Sequence, residues 1–289
     1  MFETPNIKYI RAPTLLAVGR LVDMGYYGWP AWGRIKEIIV KPEVFIREFA
    51  KEDVPEYPCP SCGKSKLSKK AFVSESNAAT KRNKGSEDWE PDWDEYVFSL
   101  TLECKECLET VFVSGDGYAD EEIDVDEYEN WSRQWVVKYR PKYFFPALRF
   151  IEYPQATPRE VKQSVDSAAA LFYSHPGASC NSLRVAAEEV LTSLGVAEAR
   201  VGEFVSLASR IKSLPENSAE RTLLDAIRWQ GNDGSHSKSI ITHADAEDAF
   251  NLMNLLIEEV YSDRKRKIQE LAAAINEHKG PVRLRGFKD

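Results

Sequence analysis

Two cysteine pairs, Cys59-Pro60-Ser61-Cys62-Gly63 and Cys104-Lys105-Glu106-Cys107, constrain this chain more than any other stretch of it. The CxxC spacing turns the backbone tightly enough for both sulfurs to face one point, while backbone N–H groups support the thiolates; Gly63 relieves the first turn. Four thiolates at tetrahedral positions suit Zn²⁺, with Zn–S bonds of about 2.3 Å. A redox CxxC would instead be a single pair beside a helix start. Here two pairs each adjoin β-type sequence, so Cys59, Cys62, Cys104 and Cys107 are expected to hold one zinc as a ribbon. Such a closed set leaves no open coordination position, which makes the ion structural. The fifth cysteine, Cys180, precedes a helix and reads as a buried or tolerated thiol.

The stretches around the second pair alternate as strands do. YVFSLTLEC (96–104) and LETVFVSG (108–115) are rich in Val, Phe and Thr. RQWVVKYRPKYFFPAL (133–148) is a further β-like stretch, and residues 76–95 form a polar excursion between strands. KPEVFIREFAKED (41–53) has apolar positions at helical spacing and is expected to form a short helix. The aromatic cluster GYYGWPAWGR (25–34) has no interleaved basic residues, so core packing is a better reading for it than base stacking. The acidic run DGYADEEIDVDEYE (116–129) lacks the spacing of a calcium loop, and a solvated loop or a paired edge is expected there.

Beyond Pro158 the periodicity becomes helical. TPREVKQSVDSAAALFY (157–173) offers Thr157 as N-cap and Pro158 at the first helical position. SCNSLRVAAEEVLTSLG (179–195) ends on a C-cap glycine, and FVSLASRIKSL (204–214) is stopped by Pro215. SAERTLLDAIRWQ (218–230) is expected to stop at Gly231, and a long helix over 244–280 is expected to break near Ser262. These shifts predict an α+β chain: a β-rich module over residues 1–153 carrying the zinc ribbon, followed by a helical domain over 154–289.

Charge and hydropathy exclude some functions. The net charge is -8, with 21 Lys and Arg against 26 Asp and Glu in residues 1–150 and 17 against 20 in 151–289. Neither half is basic, which disfavours indiscriminate coating of nucleic acid. No apolar run is long enough to span a membrane, and the first residues lack the clean apolar core of a secretion signal, so a cytoplasmic protein is expected.

One constellation suggests chemistry. In AIRWQGNDGSH (226–236), Arg228 precedes a glycine-rich turn that ends on His236. Imidazole can take a proton from a ribose 2′-OH or return one to the leaving oxygen, while guanidinium holds the phosphate as charge builds. The plainer alternative is a helix corner: Gly231 and Gly234 supply left-handed backbone, Arg228 pairs with Glu188 or Asp225, and His236 donates to a carbonyl. Arg184 and Glu188, one helical turn apart, form an i,i+4 pair or support that turn. His175, His243 and His278 read as surface or capping residues.

Between about Tyr143 and Tyr261 the chain resembles family 4145 of domains of unknown function, found in bacterial restriction and phage-defence proteins and regarded as a distant member of the HEPN helical superfamily. The resemblance rests on YFFPALRFIEYP, NSLRVAAEEVL, ASRIKSL and above all AIRWQGNDGSH. It implies a HEPN-like helical bundle, pairing as a homodimer, and metal-independent RNA cleavage. Arg228, Asn232 and His236 would then be catalytic, with Arg184 and Glu188 in support. Seven residues separate Arg228 from His236 and Trp229 follows the arginine, whereas the HEPN proteins that cleave RNA usually have four to six residues between them and a polar residue after the arginine. The expected function is therefore a defence-associated endoribonuclease, or a non-catalytic adaptor or sensor binding a partner protein or nucleic acid. The apolar stripe Phe250, Met253, Leu256, Ile257 and Val260 is a candidate dimer surface.

Overall fold

The structure, a computed structural model, describes residues 40–125, 131–196, 205–233 and 240–281. The alternation in YVFSLTLEC produces β3 (Glu95–Cys104), with Phe98, Leu100 and Leu102 buried and Val97 exposed. Beside it lie β2 (Leu67–Ser76) and the long hairpin of β4 (Thr110–Val125) and β5 (Trp131–Phe145). A two-residue strand, β1 (Phe49–Ala50), completes an antiparallel sheet of order β1-β5-β4-β3-β2. The helix expected over 41–53 is a single 3-10 turn, Pro42–Phe45, because Phe49 and Ala50 join the sheet edge against Tyr139 and Lys138.

The hairpin has one irregularity, and the sequence explains it. Pro141 has no N–H to give the ladder, and the register slips between Ser114 and Gly115 so that Lys142 has no opposite residue. A Cβ at Gly115 would stand 2.0 Å from the Arg140 carbonyl oxygen, so only glycine lets the strands close there. The acidic run is a paired strand as far as Val125. Arg140 Nε meets Asp116 at 2.7 Å, Lys138 Nζ meets Asp120 at 2.8 Å, and Arg133 meets Glu121 at 3.3 Å. Exposed pairs of this kind each contribute at most about 1 kcal/mol. Their effect is to favour one register between an acidic and a basic strand.

The polar excursion between β2 and β3 holds α1 (Ala78–Asn83), capped by the Asn77 side chain on the Thr80 N–H at 2.9 Å. Asp94 anchors the excursion, accepting hydrogen bonds from Lys84 Nζ at 2.5 Å, Trp89 Nε1 at 3.0 Å and the Tyr96 hydroxyl at 3.1 Å.

The helices are α2 (Arg159–Leu171), α3 (Pro176–Ser193), α4 (Leu207–Lys212), α5 (Ala219–Asp233), α6 (His243–Tyr261) and α7 (Asp263–His278). Several ends differ from expectation. Pro158, not Thr157, occupies the N-cap of α2, and the Thr157 hydroxyl is buried without a partner among the described residues. Helix α3 begins three residues early, at Pro176, and Gly195 beyond its end takes φ +77°. Helix α6 has a full capping box between Thr242 and Asp245, and the expected break falls at Ser262, whose ψ of 129° is extended.

Aromatic rings join sheet and helices into one core. Phe45 meets Phe150 at 5.4 Å and Phe172 at 5.4 Å; Phe150 meets Phe250 at 4.6 Å; Phe144 meets Tyr173 at 4.6 Å. Phe250, Met253, Leu256 and Ile257 are 0% exposed, so the chain's own bundle covers these members of the α6 stripe. On α7, by contrast, Ile268, Leu271 and Ile275 are exposed.

Candidate metal centre

The two cysteine turns have nearly the same backbone. In the first, the Gly63 N–H returns to the Cys59 carbonyl at 3.0 Å, and the Cys59 N–H reaches Ser65 O at 2.9 Å. In the second, the Leu108 N–H returns to Cys104 O at 3.0 Å, and the Cys104 N–H reaches Glu109 O at 2.9 Å. The residue after each second cysteine adopts a left-handed φ of 63°, which glycine takes freely at 63 and leucine takes at a cost at 108. Strand pairing brings the turns together: Leu67, leaving the first, lies opposite Cys104, which opens the second. The Ser61 hydroxyl donates to Glu109 across the gap.

The four sulfurs all lie within 4.8 Å of one another. Cys59 and Cys107 are 3.6 Å apart and Cys62 and Cys104 3.7 Å apart, too long for disulfides, and all four thiols are free. A tetrahedral ion with bonds of about 2.3 Å needs sulfur–sulfur edges of about 3.8 Å. The donor set and its spacing therefore fit Zn²⁺. Cys59 and Cys104 are buried, Cys62 is half-buried and Cys107 is exposed.

Crowding spreads the thiols' acidities. Backbone N–H groups of Lys64 and Ser65, the first being the larger influence, bring Cys62 down to about 6 against some desolvation. At Cys107 the Glu109 N–H favours the thiolate, but desolvation and the other three cysteines outweigh it and push the group up to about 12. Burial raises Cys59. Four thiolates repel one another unless a cation sits between them, and a divalent ion resolves that conflict. Cys180 is apart from this cluster, fully buried, and burial raises its thiol to about 11, as suits an inert core residue.

The arginine–histidine constellation is only partly described. His236 lies outside the described residues, as does the side chain of Asn232. Arg228 on α5 is 13% exposed; its Nε lies 3.1 Å from Asp225, and its guanidinium stacks 4.0 Å from the Trp229 ring. Arg184 and Glu188 on α3 form the expected i,i+4 pair at 3.7 Å. The helix end expected at Gly231 is not there: α5 continues to Asp233. A Cβ on Gly231 would come within 2.7 Å of Arg184 Cβ and 3.1 Å of Cys180 O, so this glycine lets α5 lie close against α3. The crossing sets Arg184 against the last turn of α5.

Sequence reasoning missed a second polar cluster. Arg47, Arg140, Lys142 and His243 line one cavity, although they lie far apart in the chain and in no motif. His243, read as a surface or capping residue, begins α6 and places Nε2 3.2 Å from the Tyr173 carbonyl.

Family models match two regions. Residues 47–144 match Domain of unknown function (DUF8608). Residues 166–278 match Domain of unknown function (DUF4145). The second match is the family whose resemblance the sequence suggested, beginning later and running further than Tyr143 to Tyr261. The first covers most of the sheet and both cysteine turns. No curated protein and no solved structure matches the chain.

Proposed function

We propose that this chain is a zinc-stapled, non-catalytic adaptor or sensor of a defence or restriction system. In this reading the DUF8608 region is a zinc-ribbon-like module, the DUF4145 region is a HEPN-like bundle, and the two present surfaces to a partner protein or nucleic acid. The observation that carries it is the state of Arg228. The side chain needed to hold a scissile phosphate is largely buried, paired with Asp225 and stacked on Trp229. Freeing it would cost a partly buried ion pair and a cation–π contact. Four cysteine ligands would fill a tetrahedral ion and leave no place for substrate, so in either reading the metal is structural. No helix among the described residues is long and apolar enough to cross a membrane.

A second reading, a metal-independent endoribonuclease assembled in a homodimer, is favoured by one contact. Gly231 brings Arg184 against the final turn of α5, the helix that carries Arg228. One assay separates the readings. Labelled RNA and its all-deoxy counterpart are incubated in EDTA with wild type, Arg228→Ala and His236→Ala. The adaptor reading expects intact RNA in every lane. A 2′,3′-cyclic phosphate product made by wild type and reduced about a hundredfold in His236→Ala would establish the nuclease instead.

A further inference from the structure

A cavity of about 450 Å³ opens where the sheet meets the helices, within the usual size range of small-ligand sites. Its polar lining comes from three places in the chain. Arg47 and Glu48 follow the 3-10 turn, Arg140 and Lys142 flank the β5 irregularity, and His243 begins α6. Phe45 and Tyr173, both almost fully buried, supply its apolar wall. The lining thus carries three cations against one carboxylate.

The cations differ in how far they are already engaged. Asp116 holds Arg140 at 2.7 Å and Lys142 at 3.5 Å, one carboxylate shared between two bases, so each keeps unspent N–H donors. Arg47 makes no ion pair within 4.0 Å among the described residues, and outside the lining its charge is felt by the Glu247 carboxylate. The Tyr118 hydroxyl, 3.4 Å from Glu48 Oε1, helps to set the lone carboxylate, which accepts and cannot donate. Such a lining asks for a ligand with a compact anion at one end and hydroxyl donors at the other.

We propose that this cavity binds a hydroxyl-bearing phosphomonoester, a nucleoside monophosphate or a sugar phosphate. Arg47, Lys142 and Arg140 take the phosphate oxygens, and Glu48 accepts from the hydroxyls. Because Arg47 to Lys142 belong to the region matching DUF8608, and Tyr173 and His243 to that matching DUF4145, the ligand touches both regions at once. The site is independent of whether the chain cuts RNA.

Isothermal titration of the intact, zinc-loaded protein at roughly physiological salt tests this, so that weak surface charge effects are screened. The probes are inorganic phosphate, ribose 5-phosphate, AMP and adenosine. Both esters should bind saturably, phosphate about tenfold more weakly, and adenosine without measurable heat. Arg47→Gln and Lys142→Gln should each weaken the esters about tenfold with unchanged melting temperature, since neither side chain is buried. Glu48→Ala should weaken the esters relative to inorganic phosphate, since it removes the hydroxyl acceptor while phosphate loses only a like charge. AMP binding more tightly than ribose 5-phosphate would identify a nucleotide as the ligand; equal affinities would identify the sugar phosphate. Absence of saturable heat with both esters overturns the proposal, as does ester affinity that Arg47→Gln and Lys142→Gln leave unmoved.

Discussion

Gly63→Ala and Leu108→Gly should shift stability in opposite directions, because the two positions share a backbone conformation and differ in residue. Both follow the second cysteine of a turn and both have φ of 63°. Nothing lies within 4 Å of a Cβ built on Gly63, so alanine there meets no steric obstacle and its cost is that of the left-handed backbone alone. That cost is about 1–2 kcal/mol, reduced by the lower entropy of the unfolded alanine chain, which leaves a loss of about 1 kcal/mol. At Leu108 the terms reverse. Glycine removes the strain and gives back part of it as extra unfolded entropy, for a net gain of about 0.5–1 kcal/mol. Leu108 is 72% exposed, so little buried area is lost with its side chain. Urea denaturation at saturating zinc reads both changes as shifted midpoints at constant slope, and a competing chelator checks that metal affinity follows the same order. A neutral Gly63→Ala, or a Leu108→Gly that destabilises by more than about 0.5 kcal/mol, would refute the matched-turn argument.

Cys104→Ser should reduce bound zinc well below one ion per chain and lower the melting temperature. Because sheet and helices share a core, helical circular dichroism should be lost in the same transition; full zinc retention by atomic absorption would rule out the four-cysteine site. Acid should act through Asp94. Burial opposes its charge, but Lys84, Trp89 and Tyr96 outweigh burial and hold the carboxyl below its ordinary value. A depressed carboxylate stabilises the fold above its unfolded pKa of about 4, and that contribution is lost as pH falls through the folded value. Melting curves from pH 6 downward should therefore drop faster for wild type than for Asp94→Asn, and parallel curves would contradict the assignment.

The four-cysteine cluster and the strands around it were legible because their signals are local. A CxxC turn needs only its own four residues, and the alternation in 96–104 maps directly onto buried and exposed faces. What escaped was decided by distant neighbours. Gly231 looks like a helix terminator in isolation, yet α3 makes it a crossing point, through Arg184 and Cys180. Leu108 gives no hint of left-handed backbone, since nothing in leucine favours it; the turn imposes it. Residues 41–53 have helical spacing, but pairing of Phe49 with Tyr139 offers the backbone a better use. The acidic run by itself fits a loop or a paired edge equally, because its partner cations lie on β5, across the hairpin. The cavity lined by Arg47, Arg140, Lys142 and His243 leaves no sequence pattern at all, as only the folded chain brings these residues together.

The ring cluster through Phe45, Phe150, Phe172 and Phe250 also bears on how this chain can diverge. Phe172 and Phe250 lie in the region matching DUF4145, Phe144 ends the one matching DUF8608, and Phe45 and Phe150 lie in neither. Yet all share one close-packed core, so a volume change on one side must be answered on the other. Substitutions at Phe45 and Phe172, or at Phe150 and Phe250, should therefore be epistatic. A helical half transplanted from a relative would carry its own ring sizes into a socket shaped for these. The seam between the halves, more than the surface of either, limits which pairings of the two regions can fold.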